Sequence, residues 1–369
     1  MGNEVGQIKA SPNINIEFKT LATTAIQRSE RGIVCLILKD TKKNVKWNTL
    51  KTIADLKEKE WDAKNVKYIK LAMHYGAKKV LIRVLQTGEN LDDVLGEFKE
   101  RKMHWLAYPG AEQADDQKLV TWTKQVFGND GAIGKTVKYV SSFANNTDHV
   151  AIVELGNREY KSIYGEFTAQ EYTTAIAGLI AGMPINRSAD NFVMSDLTEV
   201  DYFEPKLGKF SLYNDDEKVR VNYGVNSKTT FDSTWKKDTR KIKIVEGMCF
   251  ITDDIRDTFK NYWLGVYIND YNNKMNFCSN VTKVYFKEMA PNVLSGDYDN
   301  KIEIDLEAQK RLIVLDEKDP EEMTEMEILK YPSGDDVFLT GDVRFADTMA
   351  NLSISIKMWW QILTVYVIM

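Results

Sequence analysis

Ile33-Val34-Cys35-Leu36-Ile37-Leu38 is an apolar run without a polar break, the pattern of a strand buried on both faces. Val80-Leu81-Ile82-Arg83-Val84-Leu85 repeats it. Between them lie helical patterns over 48–60 and 65–75, the second closed by Gly76 just past its end. Downstream, the spacing predicts a helix at 90–101, a short strand at 103–107, a helix at 115–127 and a strand at 136–141. Val150-Ala151-Ile152-Val153 adds another strand. Doubly buried strands alternating with helices specify an α/β layer with a mostly parallel sheet. Thr168-Ala169-Gln170-Glu171 is a capping box opening an apolar helix that runs to Gly182, with Pro184 beyond it.

From 186 to 240 the sequence is loop-rich, with polar strands expected at 208–213 and 217–223. A change of domain is placed near 240. Beyond it, Thr252 reads as the cap of a helix whose first turn carries Asp253 and Asp254, with Ile255, Phe259, Tyr262 and Trp263 on one face and Gly265 at the end. A second amphipathic helix places Met275, Cys278, Val281, Tyr285 and Met289 on one stripe before Pro291. A strand at 301–305, helices at 306–314 and 324–330, and strands at 337–345 and 351–358 complete the pattern. Thr324-Glu325-Met326-Glu327 is a further capping box. The fold class is mixed α/β and α+β: an N-terminal α/β layer domain and a C-terminal α+β domain. No internal repeat or low-complexity tract is present.

Both ends of the chain alternate with period two. Ile14, Ile16 and Phe18 alternate with Asn13, Asn15, Glu17 and Lys19; Leu352, Ile354, Ile356 and Met358 alternate with Asn351, Ser353, Ser355 and Lys357. A terminal strand without a partner at home is an open edge that recruits another chain.

Composition narrows the function classes. The chain has 369 residues, 43% hydrophobic and 28% charged, the balance of a soluble globular protein of two or three domains. A net charge of −5, with lysines and acids interspersed, argues against nucleic acid as a partner. No stretch reaches the ~20 apolar residues of a membrane helix, and the first thirty residues lack a secretory pattern. Cys35, Cys249 and Cys278 read as buried free thiols. Asn129-Asp130-Gly131-Ala132-Ile133-Gly134-Lys135-Thr136 resembles a phosphate-binding loop, but Asn129 replaces the first glycine. It also follows a helix and opens a strand, the reverse of the order that points helix amides at a phosphate. His74, His104 and His149 are too dispersed to suggest a metal site or a catalytic base. The pairs Asp92-Asp93, Asp115-Asp116 and Asp253-Asp254 are assigned to helix starts, and Asp297-Tyr298-Asp299-Asn300 to a polar turn. The aromatics, 8 Trp and 17 Tyr among them, fall on apolar faces and are assigned to core and interfaces. No catalytic residue, cofactor or metal is expected.

Several stretches resemble one family. Pro12-Asn13-Ile14-Asn15-Ile16-Glu17-Phe18-Lys19, then Ala22-Thr23-Thr24-Ala25 and Arg28-Ser29-Glu30-Arg31-Gly32, is similar to the start of contractile tail sheath proteins. The likeness is to the small sheaths of Gram-positive prophages and clostridial R-type phage-tail-like bacteriocins. Ala177 through Ser188, Lys241 through Met248 leading into Asp253 through Phe259, Phe338 through Val343, and Met349 through Met358 match in order. The resemblance implies a structural subunit without enzymatic activity. Such subunits stack as hexameric rings around a tail tube and contract to drive it through a target envelope. It implies a linking arm at 1–22, an outer body at 23–240, an inner domain at 241–345 and a second arm at 346–369. Arm residues would be Ile14, Ile16, Phe18, Leu352, Ile354 and Ile356, received by strands in 301–305 and 337–345. Implied partners are identical subunits, the tube, the baseplate and the tail terminator, within a virus tail or tail-like particle assembled in the bacterial cytoplasm. Trp359 through Met369 continues past the family pattern, either as a longer arm or as an altered end. The competing reading is a nucleotide-binding α/β enzyme using the 129–136 loop; a tube or baseplate component is a third.

Overall fold

The protein is described by a computed structural model over residues 26–128, 135–143 and 146–355. In chain order the first part contains β1 (Ile33–Lys39), β2 (Trp47–Leu50), α1 (Ala63–His74), β3 (Lys79–Leu85), α2 (Leu91–Phe98), β4 (Trp105–Ala107), α3 (Gln113–Val126), β5 (Lys138–Ser141) and β6 (Ile152–Glu154). These strands form one sheet in the order β2-β3-β1-β4-β5-β6, parallel except for β2, which pairs antiparallel on the edge of β3. β1 sits at its centre, with Ile33 through Leu38 almost wholly excluded from solvent. The alternation of strand side chains then makes two cores. Val34, Leu36 and Leu38 face one, while Ile33, Cys35 and Ile37 face the other with α2 and α3 residues such as Val94, Phe98 and Leu119.

The first core is closed by α4 (Ala169–Gly182), reached through the short hairpin β7 (Glu159–Ser162) and β8 (Gly165–Thr168). Its N-terminus carries the Thr168–Glu171 capping box. α4 lies against α1 at a distance only glycine permits. A Cβ on Gly178 would stand 2.2 Å from the carbonyl oxygen of Ala72, and one on Gly182 would stand 2.1 Å from that of Tyr75. β9 (Leu197–Val200) joins β7, and β10 (Leu212–Asp215) and β11 (Lys218–Val221) form a hairpin. These polar-faced strands cover the same core with Leu197, Val200, Leu212, Val219 and Val221.

The last third begins with α5 (Ile242–Thr258), extended by a π-helical turn at Phe259–Trp263. Then come α6 (Tyr271–Asn280), a second π turn at Val281–Tyr285, and α7 (Phe286–Met289). β12 (Lys301–Ile304), α8 (Leu306–Leu315), α9 (Glu325–Leu329) and β13 (Leu339–Asp342) complete the described chain. Trp263, Phe277, Val281, Tyr285, Phe286 and Leu294 form the centre of its own core.

Two local expectations are corrected. Residues 48–60 are not a helix: they give the edge strand β2 and two 3-10 turns, at Ile53–Asp55 and Glu58–Glu60. The three-residue spacing of Leu50, Ile53 and Leu56 imitated a helical stripe, and the open edge of β3 claimed Trp47–Leu50. Thr252 is not a cap, because α5 starts ten residues earlier, after Lys241. Its hydroxyl bonds back to the carbonyl of Met248 at 2.9 Å inside the helix.

Because backbone, not a movable side chain, opposes any Cβ at position 178, Gly178→Ala is expected to lower stability by about 3 kcal/mol, read from urea unfolding. Gly76→Ala, with nothing near its Cβ position but a φ of +88°, is the reference for backbone strain alone.

Candidate functional site

The polar groups of this chain converge on α5. Residues preceding or opening β1, β4 and β5 all reach it. The Glu246 carboxylate accepts from Trp105 Nε1 at 3.0 Å and pairs with Lys138 at 2.9 Å and Arg31 at 2.7 Å. Asp253 accepts both branches of a bond from Thr136 Oγ1, at 2.7 and 2.9 Å, and pairs with Arg256. Asp254 is fully buried and receives the amide of Ser29 at 2.7 Å, the Tyr285 hydroxyl at 2.9 Å and Arg28 at 3.3 Å. Asp257 meets Lys102 and the Ser29 hydroxyl. Arg28 also lies over the rings of Phe250 and Tyr285. Residues 26–31 are thereby fastened along the helix, so whatever precedes them leaves from a fixed point.

Burial raises the pKa of Asp253 and Asp254 above the usual carboxylate range, against the opposing pull of Thr136 and Lys138 on one and Ser29, Tyr285 and Arg28 on the other. Their assignment to a helix start is corrected: they lie inside α5 and face protein on all sides. His104 lies 3.7 Å from Asp253, but burial and the charges of Lys138 and Arg31 push its pKa well below the ordinary value, so it stays neutral and forms no ion pair.

A second assembly of interest is the β12–β13 pair, with Lys301 opposite Asp342 and Ile304 opposite Leu339. The backbone amide of Asp305 donates to the carbonyl of Phe338 at 3.0 Å, which sets the register of bonded pairs. Antiparallel alternation turns the backbone of Ile302 away from β13. There its amide donates to Thr282 Oγ1 at 3.0 Å, and its carbonyl accepts from the same hydroxyl at 3.3 Å. The same alternation turns the backbone of Leu339 and Gly341 to the far flank of β13, where no strand lies among the described residues. Beyond β13, Phe345 bridges to Leu294, Asp347 pairs with Lys241 at 2.5 Å, and Asn351 accepts from the Tyr223 hydroxyl at 3.0 Å. Leu352 and Ile354 are then 85% and 68% exposed and lie in no strand. Ile14, Ile16, Phe18 and Ile356 fall outside the described residues.

The nucleotide reading is overturned by what the loop's residues do. Residues 129–134 lie outside the described residues. Lys135, which would have to face a phosphate, donates instead to the carbonyls of Phe98 and Arg101 at 3.0 and 2.8 Å, capping the end of α2. Burial lowers its pKa to about 8. At the carboxyl end of β1, where open α/β sheets commonly take a ligand, the chain seats its own anion. Asp40 accepts from the amides of Lys42, Lys43 and Asp62, each at 2.9 Å, and from Asn65 at 2.7 Å. Asp116 does more than complement a helix dipole: it is buried and accepts the hydroxyls of Tyr139 and Ser141. No cluster of three potential metal-ligating side chains occurs among the described residues.

Two predictions follow from this geometry. Asp254→Ala strands three donors in a dry site and is expected to cost about 3 kcal/mol. Asp254→Asn, which keeps an acceptor, should cost less. Limited proteolysis should then cut first within residues 26–31 of the alanine variant. His149 is held down to a pKa of about 4, by burial first and then by Lys124 and Lys228. Its unfolded form binds the proton sooner. The associated stability is therefore whole above about pH 6.5 and lost as pH falls toward 4, about 3 kcal/mol in all. His149→Gln should flatten that part of a plot of urea midpoint against pH.

No family model matches the chain. The tail sheath protein of Clostridium phage phiCD119 (from Clostridium difficile) is 32% identical over 365 residues, covering 94% of this chain and 99% of that protein. Among solved structures, the sheath tail protein of Listeria innocua superposes with a TM-score of 0.62 at 13% identity, over 88% of this chain and 98% of that one. The sheath tail protein of Desulfitobacterium hafniense gives 0.60 at 15% identity, over 79% and 93%. The helical sheath of the anti-feeding prophage, in its contracted state, gives 0.63 at 12% identity, over 95% and 99%. The structures share the fold; the sequence relationship to the phage protein, end to end and at that identity, places this chain in the tail sheath protein family.

Proposed function

We propose that this chain is the repeating subunit of a contractile sheath. Copies stack as hexameric rings around a tail tube, between a baseplate and a tail terminator, in a virus tail or tail-like particle assembled in the host cytoplasm. The domains divide the labour: arms at 1–22 and 346–369, an outer body at 23–240 and an inner domain at 241–345. The role is structural rather than enzymatic. The observation that carries the reading, beyond family membership, is that among the described residues one flank of β13 is unpaired and the alternating Leu352 and Ile354 have no strand partner.

Strand addition supplies the link. An arm from one neighbour, bearing Leu352, Ile354 and Ile356, would pair along β13. The other arm, bearing Ile14, Ile16 and Phe18, would extend the same sheet. Backbone hydrogen bonds of this kind survive while rigid bodies swing about them, as contraction requires. Residues 26–31, fixed on α5, and Asp347, fixed on Lys241, would set where each arm departs.

Negative-stain microscopy of the purified chain tests this. Tubes or stacked rings are expected from the full chain, and none after deletion of residues 1–20. Ile354→Pro removes a donor from a segment that makes no ladder among the described residues. It should leave the thermal midpoint of the monomer unchanged and abolish the tubes. Normal tubes from that variant would refute the pairing of this arm. Truncation after Met358 asks separately whether the apolar extension matters.

A further inference from the structure

The chain folds around a cleft of about 350 Å³ between the end of α4, the start of α5 and the strand-entry residues Arg31 and Gly32. One part of its wall is apolar, with Met183, Ile185 and Phe250; the rest is cationic, with Arg31, Lys78, Arg187 and Lys243. The single carboxylate present, Glu246, is already shared between Arg31, Lys138 and Trp105. Among the described residues no carboxylate pairs with Lys78, Arg187 or Lys243. Lys243 is buried and donates only to the carbonyls of Asn292 and Ala346, while Arg187 rests on the ring of Phe192.

Arg31 is the sharpest part of this wall. Its guanidinium is stacked on Phe250 at 4.4 Å, and its Nη2 is held by Glu246. Its Nη1, shut off from water, makes no hydrogen bond among the described residues. A buried donor without an acceptor is costly, and a cation is more so. Arg31 itself lines the cleft. Burial lowers the pKa of Lys243, against the raising pull of Asp347, with Lys241 adding a smaller lowering.

We infer that this cleft binds a carboxylate carried on an apolar body, the anion engaging Arg31 and the body lying against Met183, Ile185 and Phe250. The carboxylate is either a free short-chain acid or an acidic side chain of a second copy of the chain. A ligand here would bridge the proposed outer body and inner domain. The inference does not depend on the arm pairing proposed above.

Hexanoate is the probe, with the full chain and a thermal unfolding readout. A saturable rise of about 2–4 °C is expected once the acid exceeds its Kd severalfold. Hexanol, which lacks the anion, and acetate, which lacks the body, should give no such rise. Arg31→Gln should abolish the response; since it also breaks the Glu246 pair, Met183→Trp, which fills the cleft and leaves the charges, is the second variant. No saturable rise, an equal rise with hexanol, or a full response in Met183→Trp would overturn the inference. Where the rise is seen, slowed tube growth in the same hexanoate identifies a neighbour's side chain as the natural occupant. Unaltered tube growth identifies a free acid.

Discussion

The Asp254 carboxylate and the amide of Ser29 meet inside a helix face that is closed to water, and much else depends on that contact. Ser29 lies 225 positions earlier in the chain, so the bond closes a loop around the whole parallel sheet. With Arg28 and Tyr285 completing the shell, the carboxylate is neither exposed nor unpaired, the condition for tolerating such a group in a core. α5 is thus more than one helix of the last third of the chain. Glu246, Asp253, Asp254 and Asp257 make it a rail to which the sheet, through Trp105, Thr136 and Lys138, and the chain entrance, through Arg28 to Arg31, are both bolted.

Around this rail the two bodies are built on different physics. The sheet is held by apolar contact on both sides, and its tightest seam is the approach of α1 and α4 backbones at Gly178 and Gly182. That seam has no slack, and its polar contact lies at one end, where Glu171 accepts from the Tyr68 hydroxyl at 2.7 Å and pairs with Lys64 at 2.8 Å. The junction on α5 is polar, directional and dependent on every partner being present. Apolar packing keeps each body rigid, while a network of bonds fixes the angle between them.

The rigid body was the part most legible in the sequence. The runs at 33–38 and 80–85 announce buried strands because nothing in them could face water. Thr168–Glu171 and Thr324–Glu327 announce helix starts because their side chains answer particular backbone donors. β7, β8 and β9 escaped because each is four residues long and turns polar side chains outward, leaving only Tyr160, Phe167, Leu197 and Val200 as signal. The start of α5 escaped for a different reason. Lys241-Ile242-Lys243-Ile244 alternates like a strand, yet Lys243 and Glu246 are buried by partners more than a hundred residues away in sequence. Asp253 and Asp254 were visible as a pair but not as a site, since local sequence says nothing of Thr136 or Ser29. The alternation of Leu352 and Ile354 was legible in the sequence, whereas the open flank of β13 among the described residues needed the register.

Thr282 touches both backbone groups of Ile302 and so closes one side of the inner pair. A two-stranded sheet would otherwise offer two equivalent seats; under the strand addition proposed above, and with the described residues alone, this one would have a valency of one. A second incoming strand has nowhere to pair until the first has arrived and presented a fresh edge. Addition is then sequential rather than independent, and the first encounter lacks the cooperative gain of later ones. Growth under the proposed strand addition would then have a slow nucleus and rapid extension, which would keep free subunits apart until an existing end is there to receive them.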